Sequence, residues 1–267
     1  MFKEVEMLIT CPSGLSFQAR NWRLGDRAIL SDRTSKVPLQ RRMLEAVSGP
    51  VVSPGPYGEL RADQPVNWGH ISQSDMGDAL ISLRIQSKPV YDYDAHCQAC
   101  GAILHLTQDL SKIPMEAMPA DALDHLRSGV PIDRSFAGVD VCLRLPTGAD
   151  LARTASAKNV YEQIEIADCM HIAAVKAPEG AIVDPLGIRA FYQRQGWQFQ
   201  AELSDEVRRL EAGRDLRIII RCDRDNCGIE QELLLPLGPA FFDPALEPRR
   251  SAGSPPRVES TSTRSSS

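Results

Sequence analysis

Four of the seven cysteines in this 267-residue chain fall into two close pairs. Cys97 and Cys100 lie in VYDYDAHCQACGAILHLTQDL, and Cys222 and Cys227 lie in LRIIIRCDRDNCGIEQELLLPL. The two stretches share a plan: a strand-like run, a cysteine, a short turn, Cys-Gly, and a second strand-like run ending near Leu110 or Leu237. Two thiolates from one turn can grip a single ion only if the chain reverses between them. A glycine directly after the second cysteine, Gly101 or Gly228, admits the positive φ that a return into a strand often demands. Each stretch is therefore expected to be a β-hairpin tipped by a cysteine knuckle. Two such hairpins facing each other would complete a tetrahedral shell of Cys97, Cys100, Cys222 and Cys227. The ion favoured by this chemistry is a structural Zn2+, because four protein thiolates leave no open position for a substrate. The same sulfurs could instead close a disulfide within each knuckle, or hold no metal. His96 adjoins Cys97 and could replace a ligand, but four cysteines already complete the shell, so it is expected to be a strand residue beside the site.

About 120 residues separate the two pairs, a loop whose closure entropy grows only slowly with length. The intervening and flanking elements must bring the pairs together. Residues 6–22, EMLITCPSGLSFQARNW, read as strand, turn and strand, with Pro12-Ser13-Gly14 supplying the turn and Cys11 a small apolar residue. Residues 24–34 are helix-like, and 38–47 place Leu39, Met43 and Val47 on one helical face. Four prolines and three glycines make 48–66 a loop. A helix is expected over 73–86, with Met76, Ala79, Leu80 and Leu83 forming its apolar stripe. Residues 111–135 are punctuated by proline, with a short helix at 119–127. In 137–145, Val139, Val141, Leu143 and Leu145 alternate along a strand, and Cys142 points to its other face. Pro146 ends that strand, Gly148 permits a turn, and Asp150 is placed to cap a helical segment from about 149. The strongest helix signal lies over 158–176, with Val160, Ile164, Ala167 and Ala174 near one side. Cys169 and His171 diverge there and read as packing residues. Asp184-Pro185 breaks the pattern, and 203–212 form a charged helix with Leu203, Val207 and Leu210 inward. From Pro248 the composition turns to Ser, Pro and Arg, so 248–267 are expected to be a disordered tail.

The fold expected from these elements is α+β: a discontinuous four-cysteine zinc ribbon made of two β-hairpin knuckles, an α/β insertion between them, and an N-terminal β-hairpin plus helices. As domains, 1–247 form one α+β unit. Within it, 1–88 carry the N-terminal hairpin and helices, 89–110 and 214–240 are the ribbon halves, and 111–213 are the inserted subdomain.

Charge and motifs narrow the function. A net charge of −5 argues against nonspecific nucleic-acid binding, which needs a surplus of Lys and Arg. No apolar run reaches the roughly 20 residues of a membrane helix. Glu4 and Glu6 stand where a signal peptide would be basic and then apolar, which points to a cytoplasm. Paired cysteines there read as metal ligands before disulfides. The phosphate-loop, dinucleotide, His-Glu-x-x-His and Gly-x-Ser-x-Gly signatures are missing. Asp92 and Asp94 alternate with Tyr91 and Tyr93; two carboxylates on one face could do acid–base work, but the wet face of a hairpin is the plainer reading. Asp223 and Asp225 are expected to solvate the knuckle turn. No catalytic residue and no small-molecule substrate are expected.

Five segments occur in a telling order: ITCPSGLSFQARNWRLGDRAILSDR, CQACG, VCLRLPTGAD, RCDRDNCG and FFDP. This series, over about residues 7–244, resembles the T4-type baseplate proteins of contractile-tailed bacteriophages, also described as baseplate hub assembly chaperones. Its most specific parts are Leu145 to Asp150 and the paired knuckles. The second knuckle departs from the family pattern, with four residues between its cysteines where two are expected. The resemblance implies a structural or assembly role without catalysis, in the host cytoplasm during assembly and in the virion baseplate, through contacts with other phage baseplate or tail proteins. The 6–22 hairpin and the Phe241-Phe242 pair are then candidate partner surfaces, or else core. Two rival readings are a zinc-ribbon module of a nucleic-acid or transcription complex, against which the acidic balance counts, and an enzyme with an unfamiliar site.

Overall fold

Alternating apolar residues around Pro12-Ser13-Gly14 form the opening hairpin of the computed structural model, which describes residues 7–32, 34–154, 160–224, 226–248 and 258–259. Strands β1 (Met7–Thr10) and β2 (Ser16–Ala19) pair antiparallel with Ile9 opposite Phe17. Helices α1 (Arg27–Ser31) and α2 (Leu39–Val47) follow, the latter burying Met43, Leu44 and Val47. Strand β3 (Ser48–Ser53) then adds antiparallel to β2, so the N-terminal sheet has three strands and the reading of 48–66 as loop throughout is corrected. Val51 lies opposite Phe17 and is 1% exposed, which anchors the strand. The register slips on either side of that pair, and Pro50 is tolerated because β3 lies at the sheet's edge.

Helix α3 (Gln73–Ser87) starts at Ser72, whose hydroxyl accepts the Asp75 N–H. The stripe of Met76, Ala79, Leu80 and Leu83 is buried as expected, but so are Asp75, Asp78, Ile81 and Arg84. This helix runs through the core, and its charged side chains are matched by distant residues. Asp75 accepts from the Ser13 hydroxyl at 2.5 Å, the Ser13 N–H at 3.1 Å and the Tyr57 hydroxyl at 2.5 Å. Asp78 pairs with Arg214 at 2.5 Å. Arg84 pairs with Glu247 and lies over the Tyr91 and Phe241 rings.

The first knuckle hairpin is β4 (Val90–His96) and β5 (Ile103–Asp109). Beyond it come β6 (Met115–Glu116), α4 (Ala120–Ser128), β7 (Ile132–Phe136), β8 (Val139–Leu143), α5 (Leu151–Thr154), α6 (Val160–Met170), β9 (Ile172–Ala177), β10 (Gly180–Ile182), α7 (Pro185–Tyr192) and α8 (Trp197–Leu210). Four of these strands form an antiparallel sheet in the order β10-β9-β8-β7. The helix expected over 158–176 is corrected: α6 stops at Met170, and Ala174 sits in β9 opposite Cys142. His171 makes the break, with its N–H on the Asp168 carbonyl and its ring Nδ1 on the Ala167 carbonyl at 2.8 Å. Ile172 and Val175 then fill the buried side of the sheet. Residues 155–159 and the side chains of Val160 and Ile164 lie outside the described residues. The helix expected over 203–212 begins earlier, at Trp197, and does bury Leu203, Val207 and Leu210.

The LPTGAD segment clamps the insertion onto the loop before α3. Gly148 donates its N–H to the Ile71 carbonyl at 2.9 Å, Ala149 donates to Gly69 at 3.1 Å, and Pro146 accepts from Gln73 at 2.9 Å. A Cβ on Gly148 would meet the Met76 sulfur at 2.7 Å and the Trp68 carbonyl oxygen closer still. The carboxylate of Asp150, expected to face the following helix, turns back to the Thr147 N–H and the Arg144 guanidinium.

Strand β11 (Gly213–Arg214) pairs with β6 and returns the chain to the first hairpin. The second hairpin, β12 (Arg217–Arg221) and β13 (Glu230–Leu234), leads to α9 (Pro239–Phe242). One apolar cluster joins the N-terminal sheet, α2, α3, both knuckle hairpins and the Phe241-Phe242 pair. A second lies within the insertion, from Met118 to Leu210. Phe241 and Phe242 are 0% and 4% exposed, so that candidate partner surface is core; in the 6–22 hairpin Ile9, Leu15 and Phe17 are equally hidden, while Leu8 is 60% exposed. Of the expected tail, 249–257 and 260–267 lie outside the described residues; β14 (Val258–Glu259) runs parallel to β5. No helix among the described residues is long and apolar enough to cross a membrane.

Candidate metal centre

Both knuckles are built the same way. In the first, β4 and β5 pair from Val90 opposite Asp109 to His96 opposite Ile103. Cys97 then closes the turn, its N–H on the Ala102 carbonyl and its carbonyl on the Gly101 N–H, each at 2.8 Å. In the second, β12 and β13 pair from Arg217 opposite Leu234 to Arg221 opposite Glu230. Cys222 donates its N–H to the Ile229 carbonyl at 2.9 Å, and Cys227 donates to Arg224 at 2.9 Å. The glycine after each knuckle takes the expected left-handed conformation, Gly101 at φ +72° and Gly228 at φ +59°. The longer second turn thus reaches the same exit geometry as the first.

The four sulfurs of Cys97, Cys100, Cys222 and Cys227 lie within 4.8 Å of one another, close enough to hold a metal ion. Cys97 is 3.7 Å from Cys227, and Cys100 is 3.8 Å from Cys222. A tetrahedron with metal–sulfur bonds of about 2.3 Å has sulfur–sulfur edges of about 3.8 Å, so the spacing suits one ion ligated by both hairpins. None of the seven cysteines is disulfide-bonded. Cys97 and Cys222 are buried, Cys227 is half-buried and Cys100 is exposed.

The electrostatics point the same way. The backbone N–H groups of Cys100 and Ala99 hold the Cys97 thiol down to about 7. The Arg224 N–H also favours the Cys222 thiolate, but desolvation and the neighbouring sulfurs outweigh it and push that thiol up to about 12. Cys227 is raised as well, against the pull of the Ile229 N–H. Crowded sulfurs cannot all ionise together unless a cation sits among them.

The remaining cysteines do other things. Cys11 lies in the core with its sulfur on the Asp75 carbonyl at 3.6 Å, and Cys142 donates to Asp133 at 3.1 Å. Cys169 is buried in the insertion, where desolvation pushes its thiol up to about 12. His96 is exposed beside the cluster, its Nδ1 3.5 Å from the Gly101 carbonyl. The face of the first hairpin expected to be wet is only partly so: buried Thr107 donates to half-buried Asp92, and nearer the tip the exposed His105 ring nitrogen lies 2.6 Å from exposed Asp94. Asp223 is exposed in the second turn, and Asp225 lies outside the described residues.

Two residues beyond the sequence reading take part in polar contacts of consequence. His171, expected only to pack, meets Glu211 at 2.9 Å through Nε2. Gln231 reaches from β13 to the first knuckle, accepting the Gln98 N–H at 2.8 Å and donating to the His96 carbonyl at 3.3 Å. Its signal was a polar residue on the inward phase of β13, opposite Ile220 and next in line to Leu233. The chain matches no family model, no curated protein and no solved structure.

Proposed function

We propose that Cys97, Cys100, Cys222 and Cys227 hold one structural Zn2+ in a discontinuous zinc ribbon, and that the chain acts as a metal-stapled, non-catalytic component that binds other proteins. The observation that carries this reading is the pair of inter-hairpin sulfur distances, 3.7 and 3.8 Å. Four thiolates in tetrahedral spacing suit zinc or an iron–sulfur centre, and a redox-inert ion fits a staple. The ion would neutralise the crowded thiolates and tie 89–110 to 214–240, holding both ends of the insertion. Its four protein ligands leave no position for a substrate.

The place of action we propose is the baseplate of a contractile bacteriophage tail, in contact with other baseplate or tail proteins, as a resident part or an assembly chaperone. This rests on the order of the five segments along the chain. LPTGAD and the knuckles have structural tasks here, so the series supports the assignment and no single motif does. The test is to read the neighbouring genes for hub, tail-tube and tape-measure proteins and to co-express those with this chain. The reading predicts that at least one co-purifies, and that a zinc chelator releases it. No such neighbouring genes, or a salt-sensitive complex with DNA or RNA instead, would contradict it.

A further inference from the structure

We infer that Gln231 is the positioning residue of the metal centre: its carboxamide sets the two knuckles in register before any ion arrives. The inference rests on the metal reading above. Cys97 spends its own N–H and carbonyl inside the first knuckle, on Ala102 and Gly101. The carbonyl before Cys97 and the N–H after it belong to the same two trans peptides, in which C=O and N–H point opposite ways. Those groups, the His96 carbonyl and the Gln98 N–H, therefore face away from β5, and there they meet Gln231. A carboxamide presents one acceptor and one donor side by side, as a residue of a paired strand does with its own C=O and N–H. The second hairpin thus continues the β4 edge at Cys97 with one side chain in place of a strand.

The residue type matters for this task. Glutamate offers no donor, lysine no acceptor and leucine neither, while asparagine has both on a stem one methylene shorter. Gln231 is 8% exposed, so its amide has these two partners in place of solvent. The contact grips the peptide on both sides of Cys97, whose sulfur is 3.7 Å from that of Cys227. The sulfur spacing between hairpins is then a property of the metal-free chain, and the ion enters a formed site. Groups that orient metal ligands typically change affinity by 10–100-fold when removed.

The experiment uses the full chain, wild type and Gln231→Leu, with Zn2+ affinity measured by chelator competition. Co2+ substitution reports the thiolate charge-transfer intensity per bound ion. The inference predicts 10–100-fold weaker Zn2+ binding by Q231L, with four-sulfur Co2+ intensity retained. Wild-type affinity in folded Q231L overturns it. Backbone amide exchange of the metal-free wild type gives a second readout that does not depend on the variant's folding. Gln98 should exchange well below the intrinsic rate of an unprotected amide, and exchange at that intrinsic rate overturns the inference. A wild-type chain that takes up no Zn2+ refutes the metal reading itself, while slow Gln98 exchange would still uphold the inter-hairpin contact.

Discussion

Substituting Gly148 with alanine adds one methyl group where the insertion meets the loop before α3. The new Cβ would stand 2.7 Å from the Met76 sulfur and still nearer the Trp68 carbonyl oxygen, well inside contact distance. Trp68 is itself 0% exposed, so the backbone carbonyl has little room to retreat. Overpacking of this kind costs about 1–3 kcal/mol. Any separation also stretches the Gly148-to-Ile71 and Ala149-to-Gly69 hydrogen bonds, each 2.9–3.1 Å and each contributing about 0.5–1.5 kcal/mol. The combined loss is about 2–6 kcal/mol, which lowers Tm by roughly 4–24 °C in a chain of this size. Gly77→Ala is the matched control. Gly77 lies inside α3 with nothing within 4 Å of the added methyl group. Alanine there should stabilise the protein by about 0.5–1 kcal/mol, because it removes the helix penalty of glycine. Thermal unfolding of the two variants should therefore give shifts of opposite sign. A Gly148→Ala protein that melts within 2 °C of wild type, on the scale of about 2–4 °C per kcal/mol, would refute the steric reasoning.

Two further predictions concern buried charge. Both ring nitrogens of His171 face oxygens, Ala167 O and Glu211 Oε1, so the imidazolium is the form that satisfies both. Burial lowers the His171 pKa, yet the Glu211 carboxylate and its hydrogen bond overcome that and raise it above the ordinary 6.5, while His171 and its hydrogen bond pull Glu211 below 4.5 against burial. The raised histidine stabilises the fold fully below its unfolded value and loses that contribution as pH climbs through its folded value. The lowered glutamate acts in the opposite sense, stabilising above its unfolded value and losing that as pH falls through its folded one. Tm of wild type should accordingly decline above neutrality more than that of His171→Gln, and parallel curves would contradict the pairing. Asp75 accepts from three donors and offers no proton, so Asp75→Asn sets an amide N–H against a donor. The cost should be about 1–3 kcal/mol by denaturant unfolding, and an unchanged midpoint would count against this network.

The knuckles were legible because their signals are local: a strand-like run, cysteines a turn apart and a following glycine fix a hairpin without reference to anything distant. The meeting of the two pairs was legible only through coordination chemistry, since a tetrahedral ion needs four ligands. Strand β3 escaped notice because its proline and glycine outweigh two valines in any local reading, whereas Val51 is held by Phe17 across the sheet. The boundary between α6 and β9 was blurred by IAAV, whose alanines suit a helix. The Pro178-Glu179-Gly180 turn was the available cue that a hairpin followed. Helix α3 showed an ordinary apolar stripe, but its buried Asp75, Asp78 and Arg84 depend on Ser13, Arg214 and Glu247, residues far away in the chain. No periodicity encodes such partners. Gln231 belongs to the same class, because the groups it pairs with lie more than a hundred residues earlier in the chain.

Zinc K-edge X-ray absorption on the protein purified without added metal, with elemental analysis of the same sample, tests the central claim most directly. The account predicts one zinc per chain with four sulfur neighbours at about 2.3 Å, and loss of that shell in Cys97→Ser and Cys222→Ser alike. Absence of zinc, a shell of nitrogen or oxygen ligands, or a four-sulfur shell that survives serine at either position would contradict it.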